Sequence, residues 1–175
     1  YSIGKAIVIR DITQRVRSEE KIKYLGFHDS LTGLYNRAYF EEELKRLDSE
    51  RQLPLSIIIG DVNGLKLVND AFGHQEGDLL LCVFARIFEE CCRREDLITR
   101  WGGDEFAILL PKMNEEDVSA LISRIRKRCK EEKGYRVPLS ISLGTATRYN
   151  ANMPIKSLIK EAEDNMYKRK LIEKK

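Results

Sequence analysis

Apolar residues recur along the chain at two spacings, one typical of helices and the other of strands. Apolar positions three or four residues apart predict helices over 37–49, 64–71, 76–92, 114–131 and 155–172. Continuous or alternating apolar runs predict strands over 3–9, 55–61, 97–101, 105–110 and 137–145. Helices and strands interleave, so the pattern predicts an α/β or α+β fold with a mixed sheet.

Two places in this pattern carry further detail. The strand 55–61 is apolar at nearly every position, which indicates burial on both of its faces. Gly102-Gly103 separates the strands 97–101 and 105–110. Two glycines between apolar runs predict a tight hairpin, because both can adopt a positive φ.

The first 27 residues differ from the rest of the chain. The strand 3–9 has no neighbouring strand to pair with, so residues 1–12 are expected to end a truncated upstream domain. The highly charged segment that follows, up to Lys23, lacks glycine and proline and predicts an exposed helix over 13–27. Its apolar positions do not keep a regular heptad, so a coiled coil is only weakly supported.

Composition excludes several classes of protein. The chain has 175 residues, with 31 Lys and Arg against 28 Asp and Glu, a net charge of +3. With 42% hydrophobic and 34% charged residues, disorder is excluded as the overall state. The small positive charge gives no reason to expect a nucleic acid partner. No apolar run approaches a membrane span, so no membrane contact is expected of this fragment, although a longer parent protein can be membrane-attached.

The cysteines indicate a reducing environment. Four cysteines form no C-x-x-C pair, and only two histidines accompany them, so a structural zinc site is not expected. Free thiols persist in reducing compartments, which predicts a cytoplasmic location.

Acidic residues stand at the ends of two predicted strands. Asp61 ends one strand, and Asp104 and Glu105 open another directly after the glycine pair. If these strands are neighbours, the carboxylates converge, and Mg²⁺ or Mn²⁺ is the cation that such hard oxygen ligands suit. Successive strand residues point to opposite faces, so Asp104 and Glu105 are expected to differ in role. The alternative is a set of solvated turn residues.

The segment between residues 60 and 78 has features of a nucleotide site. Lys66 stands near a helix N-terminus, where free N–H groups and the helix dipole favour phosphate, although a plain surface lysine is the alternative. Asn69 can pair with a base edge, and Asp78 can accept from the donor pair of guanine. The alternatives are a helix cap at Asp78 and a structural role for His74.

Arg93 and Asp96, three residues apart, could together clamp a phosphate and a base edge. The alternative is an ordinary surface ion pair.

Together these segments resemble a known family. Residues 101–106 contain an intact G-G-D-E-F, and 29–37 resemble the family's D-x-L-T-G-L-x-N-R motif. Residues 61–78 resemble its D-x-D-x-F-K-x-x-N-D-x-x-G-H-x-x-G-D segment. The chain thus resembles a GGDEF domain of the diguanylate cyclase family over about 27–172, and residues 3–20 resemble the last strand and exit linker of a PAS sensory domain.

The resemblance implies a domain order, a fold and a reaction. It implies a PAS-like strand at 1–12, a helical linker at 13–27 and a GGDEF catalytic domain at 28–175. The implied fold is α+β and palm-like, as in nucleotidyl cyclases and polymerases, with a central, mostly antiparallel five-stranded sheet flanked by helices. The implied reaction joins two GTP molecules into cyclic di-GMP and two pyrophosphates. It implies Mg²⁺ or Mn²⁺, two ions per active site, and a homodimer controlled by an upstream sensor.

The resemblance also assigns roles to single residues. The implied metal ligands are Asp61, the carbonyl of Val62, and Asp104. The implied catalytic residues are Asp104, Glu105 and Lys66. The implied substrate-binding residues are Asn69, His74, Asp78, Gly102, Gly103 and Lys170. Arg93 and Asp96 match a product-inhibition site that binds cyclic di-GMP.

The chain departs from the family pattern at three positions. Asn63 stands where many members carry Asp, Leu65 where many carry Phe, and Lys174 near a usual Arg. Two alternatives to an active diguanylate cyclase stay open: a catalytically silent receptor for GTP or cyclic di-GMP, and a cyclase for another nucleotide.

Overall fold

A computed structural model describes residues 13–14 and 24–173. The predicted strand 3–9, most of the predicted linker helix and Lys174 lie outside the described residues. Residues 24–27 are helical and lead directly into the domain. Across the described ranges, no helix is both long enough and apolar enough to cross a lipid bilayer.

A five-stranded sheet forms the centre of the domain. Its strands are β1 (Tyr35–Asn36), β2 (Leu55–Val62), β3 (Leu97–Arg100), β4 (Glu105–Leu110) and β5 (Ile141–Arg148). They lie in the order β1-β3-β4-β2-β5, and every pair is antiparallel except β1 with β3. The expected mostly antiparallel five-stranded sheet is therefore confirmed, and β2 lies between β4 and β5.

Among the described residues five helices flank the sheet, and asparagine side chains cap two of them. They are α1 (Arg37–Leu47), α2 (Leu65–Phe72), α3 (His74–Cys91), α4 (Glu115–Glu131) and α5 (Ile155–Glu173), with a 3-10 turn at Glu50–Gln52. The side chain of Asn114 accepts from the N–H of Asp117, which confirms the predicted cap of α4. Asn36 caps α1 in the same way by accepting from Tyr39.

The two faces of the sheet bury separate hydrophobic cores. Alternate residues of β2 point to opposite faces, so Ile58 packs with α3 and α4, whereas Ile57 and Ile59 pack with α1 and α5. Every residue of β2 is buried, as its apolar sequence predicted. Asp61 continues the Ile57–Ile59 side of the strand and therefore faces α5.

Helix α5 packs unusually close to β5. A Cβ placed on Gly144 would lie 2.0 Å from the backbone N of Met166 and 2.3 Å from the carbonyl O of Ala162. Glycine at this position lets the helix backbone touch the sheet. The close contact fixes the path of α5 toward the strand ends, where Lys170 lies.

Two predictions from the pattern were wrong. The last strand covers Ile141–Arg148, not 137–145, and Val137 and Leu139 instead pack from a loop against the core. The hairpin at Gly102-Gly103 exists, but neither glycine adopts a positive φ. Its turn is closed instead by the N–H groups of Trp101 and Gly102, which both donate to the carbonyl of Glu105.

Candidate active site

The predicted acidic residues Asp61, Asp104 and Glu105 lie together where β2 ends and β4 begins, and we call this group the acidic edge. In the β2–β4 pairing Asp61 lies directly opposite Glu105, and the N–H of Val62 donates to the carbonyl O of Asp104 at 2.9 Å. The two strands are neighbours, which is the condition under which the carboxylates were expected to converge. Directly opposed residues share a face, so Glu105 faces α5 together with Asp61, whereas Asp104 lies at the tip and lines the neighbouring cleft.

Asp61 is almost fully buried, with 6% of its surface exposed. Its Oδ2 accepts a hydrogen bond from the Nζ of Lys170 at 2.5 Å. Its Oδ1 is buried and has no hydrogen-bond partner among the described residues. A buried carboxylate oxygen without a partner is energetically costly, so Oδ1 is a candidate ligand atom for a cation.

Negative charge is concentrated around Glu105. Burial raises the pKa of the Glu105 carboxyl, and the neighbouring carboxylates of Asp104 and Asp61 raise it further. The ammonium of Lys170 acts in the opposite direction. Lys170 therefore offsets only part of the repulsion, and a bound cation would relieve the rest.

A cleft of about 480 Å³ opens beside the strand ends, between the sheet edge and helices α2 and α3. Six of the residues predicted to bind or transform a nucleotide line it: Lys66, Asn69, His74, Asp78, Gly103 and Asp104. A second cleft of about 400 Å³ continues from it and shares Lys66 and Asp104. Val62 and Lys170 line this second cleft, which we call the phosphate cleft.

Asn69 is held at the cleft by a glycine that the sequence reading missed. Its Oδ1 is buried and has no hydrogen-bond partner among the described residues. A Cβ on Gly77 would lie 1.9 Å from that oxygen, so only glycine leaves room for the Asn69 amide in this orientation. The close approach to Gly77 thus fixes the Asn69 amide against α3 beside the cleft.

The start of α2 favours an anion. Gly64 precedes the helix with a φ of +79°, a left-handed conformation that glycine adopts without strain. Gly64, Leu65, Lys66 and Leu67, at the start of this helix, line the phosphate cleft. Free N–H groups and the helix dipole favour an anion at such a position. The predicted phosphate position at this helix therefore has a local structural basis.

Arg100 is a second residue that the sequence reading missed. Its guanidinium donates to Asp29 Oδ1 at 3.1 Å and to the carbonyl of Gly103 at 2.8 Å, and it lines the cleft. Burial acts to raise the pKa of Asp29, but hydrogen bonds from Thr32 and Arg100 hold it below its usual value. Arg100 thereby connects the turn at residues 29–33 to the turn at Gly102-Gly103 beside Asp104, which we call the glycine turn.

The comparisons with known proteins identify the family. A family model described as "Diguanylate cyclase, GGDEF domain" matches residues 26–175. The chain belongs to this family. Diguanylate cyclase DgcM of Escherichia coli K12 is 34% identical over 169 residues, covering 93% of this chain and 40% of DgcM. Cyclic di-GMP phosphodiesterase PdeB of Shewanella oneidensis is 30% identical over 165 residues, covering 92% of this chain and 19% of PdeB.

The fold is that of solved GGDEF domains. The crystal structure of the coiled coil and GGDEF domain of DgcB from Caulobacter crescentus, in complex with c-di-GMP, has a TM-score of 0.81. The two share 25% sequence identity, and the match covers 88% of this chain and 86% of that one. The chain spans about 40% of the length of DgcM, so it corresponds to one domain of such relatives.

The predicted inhibition pair of this GGDEF domain lies in a different cavity. Arg93 and Asp96 line a separate space of about 480 Å³, together with His28 and Cys92. Asp96 Oδ2 accepts from the backbone N–H of Arg93 at 2.7 Å, and its Oδ1 is buried with no partner among residues 24–173. Asp96 therefore contacts the backbone of Arg93, whereas the alternative was a surface ion pair between the two side chains. Burial raises the pKa of Asp96 against the lowering effect of that N–H.

The donor set for a metal ion is small. Within the described ranges no three Asp, Glu, His or Cys side chains converge as a metal cluster. The predicted ligands are two carboxylates, Asp61 and Asp104, and one main-chain carbonyl, Val62. Mg²⁺ commonly keeps several waters and binds through one or two carboxylates plus phosphate oxygens, so this set, with its unpartnered Asp61 oxygen, fits that ion.

Three of the predicted metal-binding, catalytic or substrate-binding residues line neither of these two clefts: Asp61, Gly102 and Glu105. Gly102 lies in the turn, where a Cβ would come 3.0 Å from Glu105 Oε2. Asn63 and Leu65, which depart from the family pattern, both line the phosphate cleft.

Proposed function

We propose that this GGDEF domain is an active diguanylate cyclase that condenses two GTP molecules into cyclic di-GMP and two pyrophosphates. The observation that carries the proposal is Asp61, whose buried, unpartnered Oδ1 lies at the strand ends opposite Glu105. The next residue, Val62, donates its N–H to Asp104, which lines the nucleotide cleft. Family membership and the similarity to DgcM support it.

Each end of the substrate has a complementary part of the cleft. Asn69 and Asp78 offer an acceptor, a donor and a carboxylate to the edge of guanine, with His74 beside them. Lys66, Lys170 and the first turn of α2 bind the triphosphate as positive groups. The base and the phosphates are thereby held in one orientation, which is what a displacement at the α-phosphate requires.

The acidic edge is proposed to hold the metal and to prepare the nucleophile. Diguanylate cyclases generally use a divalent metal, and here Asp61, Asp104 and the Val62 carbonyl would hold Mg²⁺ or Mn²⁺, with two ions per site. The ion, when bound, supplies charge neutralisation at the phosphates and activation of the 3′-hydroxyl. Asp104 or Glu105 would accept the hydroxyl proton, and the raised pKa of Glu105 makes its carboxylate a stronger proton acceptor than an ordinary glutamate.

A homodimer is part of the proposal. One domain offers one nucleotide cleft with a base-reading end, so two domains must face each other to bring each 3′-hydroxyl to the other α-phosphate. We propose that an upstream PAS-like sensor controls this encounter through the linker at 13–27. Because GTP is the substrate, the proposed activity belongs to the cytoplasm.

The direct test is product formation from GTP and Mg²⁺ by dimeric protein. Replacing Asp104 by Ala should abolish cyclic di-GMP synthesis, a loss of at least about 10³-fold, because it removes a metal ligand. Circular dichroism and thermal melting should stay close to wild type, since Asp104 lies in a surface turn. A wild-type dimer that binds GTP but makes no product would overturn the proposal.

A receptor for cyclic di-GMP is the second candidate. The separate cavity at Arg93 and Asp96, with the unpartnered Asp96 oxygen, favours it, and PdeB shows that similar domains occur in proteins of another activity. Calorimetry with cyclic di-GMP separates the candidates. Tight binding with no synthesis would favour the receptor, whereas binding with synthesis is expected for an enzyme inhibited by its product.

A further inference from the structure

The last described turn of α5 ends in a carboxylate that the proposed reaction does not use. Glu173 Oε2 accepts a hydrogen bond from the hydroxyl of Ser142 at 2.6 Å, and the amide nitrogen of Asn63 lies 3.5 Å away. The other oxygen, Oε1, lies 3.6 Å from guanidinium nitrogens of Arg126 and Arg169. Glu173 therefore connects the end of α5 to loop, strand and neighbouring helix.

The residues that Glu173 contacts belong to the strand ends that carry Asp61. Ser142 is fully buried and lies directly opposite Asp61 in the β2–β5 pairing. Asn63 follows β2, and its backbone N–H and its side-chain amide donate to the carbonyl and the hydroxyl of Ser140, at 2.9 and 3.0 Å. A shift of Ser142 would therefore move Asp61, its partner in the strand pairing. A shift of Asn63 would move Asp61 through the backbone of Val62, which lies between them.

Lys170 lies on the same side of α5 as Glu173. The two are three residues apart, which places them one turn apart on one face of a helix. Both line the phosphate cleft, and Lys170 forms the 2.5 Å contact with Asp61 Oδ2. Fixing Glu173 therefore fixes the turn from which the Lys170 ammonium reaches the acidic edge.

We propose that Glu173 is a positioning residue of the active site, a role that rests on the cyclase function proposed above. Its carboxylate holds the last turn of α5 on Ser142 and Asn63, and thereby keeps Lys170 at Asp61 and the phosphate cleft. The neutral amide of Asn63 belongs to the same arrangement, because it points a donor at the carboxylate. An aspartate at position 63 would place a like charge there and repel Glu173. The departure from the family pattern at Asn63 is thus matched to Glu173.

A double-mutant cycle on nucleotide binding tests this role. Calorimetry with a non-hydrolysable GTP analogue and Mg²⁺ compares wild type, Glu173→Ala, Lys170→Ala and the double variant. If Glu173 acts through Lys170, its replacement should weaken binding about fivefold to tenfold alone, and less than about twofold when Lys170 is already absent. Equal losses in both backgrounds would overturn the proposal. Glu161→Ala, exposed on the same helix, is the control and should bind like wild type.

An exchange of charge tests the match between positions 63 and 173. Asn63→Asp should lower cyclic di-GMP synthesis about tenfold, and adding Glu173→Gln should restore it to within about twofold of wild type, because an acid and an amide again face each other. A double variant as slow as Asn63→Asp would overturn the proposed match.

If wild type makes no product but the binding cycle shows the expected coupling, the cyclase proposal fails while the positioning role of Glu173 stands.

Discussion

At the scale of single residues, Gly77 sets the orientation of the Asn69 amide, which is proposed to bind the nucleotide. A Cβ at position 77 would lie 1.9 Å from Asn69 Oδ1, so Gly77→Ala must displace that amide from the cleft. We expect binding of a GTP analogue to weaken at least about tenfold, the effect of losing one polar contact to a buried base edge. Thermal stability should hold or rise, because alanine is favoured over glycine inside a helix by about 0.8–1 kcal/mol.

Calorimetry and thermal melting on the same protein measure both halves of this prediction. Gly26→Ala is the matched control, because Gly26 is also helical and a Cβ there meets nothing within 4 Å. Unchanged affinity in Gly77→Ala would mean that Asn69 does not contact the bound nucleotide.

Glu105 illustrates how repulsion at the acidic edge affects stability. Because the folded-state pKa is raised, the unfolded chain loses this proton more readily than the native one, so the group lowers stability as pH rises above 4.5, its ordinary value. Glu105→Gln removes this effect. Without metal, its melting temperature should exceed that of wild type by up to about 2 °C at pH 8, since partly solvated charges contribute well under about 1 kcal/mol.

This difference in melting temperature should become small at pH 4, where Glu105 is mostly protonated in both states, and should shrink at pH 8 on adding Mg²⁺ with GTP. Paired melting curves at the two pH values measure it. A variant that is less stable than wild type at pH 8 would contradict the assigned repulsion.

Residue chemistry predicted part of the site and missed another part for a physical reason. Asp61 near the end of β2, and Lys66 and Asn69 at the cleft, were predictable as candidates because their side chains themselves carry the charge or the hydrogen-bonding groups. Arg100 and Gly77 were not, because their effect depends on partners brought close by folding: Asp29 for the first and the Asn69 amide for the second. The position of Arg100, directly before Trp101-Gly102-Gly103-Asp104, was a signal in the sequence that could have identified it as a residue of the site.

At the scale of secondary-structure elements, the contact between α5 and β5 sets the position of Lys170. Gly144→Ala would place a Cβ 2.0 Å from the backbone of Met166, and a backbone cannot swing aside as a side chain can. We expect α5 to be pushed outward, with a loss of about 3 kcal/mol or more in the free energy of unfolding. Chemical denaturation monitored by circular dichroism measures this loss.

Gly60→Ala on the neighbouring strand is the matched comparison. The atom nearest to its Cβ would be Leu143 Cδ2 at 2.9 Å, the flexible end of a side chain, so the loss should stay near about 1 kcal/mol. If both variants lose equal stability, the close backbone approach at Gly144 is not what limits substitution.

The success of element prediction followed the strength of each periodic pattern. Long helices such as α3 and α4 repeat their apolar spacing over several turns, and the continuous run of β2 has few alternative structures. The two residues of β1 carry no pattern, because that strand exists only through its pairing with β3. Residues 137–140 alternate like a strand but lie in a loop packed on the core.

At the scale of the whole molecule, the cleft lined by Asn69 and Asp78, which is proposed to bind the base, is separate from the cavity at Arg93 and Asp96. Residues 24–27 lead into the turn at 29–33, which Arg100 connects to Gly103 beside Asp104. The N-terminal segment thus lies at one end of a chain of contacts that ends at the acidic edge. In a protein that is regulated through its linker, a movement of residues 24–27 would reach the turn at Gly102-Gly103 through Asp29 and Arg100.

The two-chain requirement of the proposed reaction predicts how activity depends on concentration. If each active unit needs two clefts face to face, activity per chain should rise with protein concentration for a monomeric domain. A strong parallel leucine zipper fused before residue 13 replaces that encounter with an effective concentration in the millimolar range. At 1 µM protein, the fusion should then make cyclic di-GMP about 10²-fold faster per chain than an isolated monomer. Asp104→Ala in the zipper background should make none, which separates dimerisation from catalysis. Equal activity per chain in both forms, with the unfused domain shown to be monomeric by ultracentrifugation, would mean that one chain completes the reaction alone.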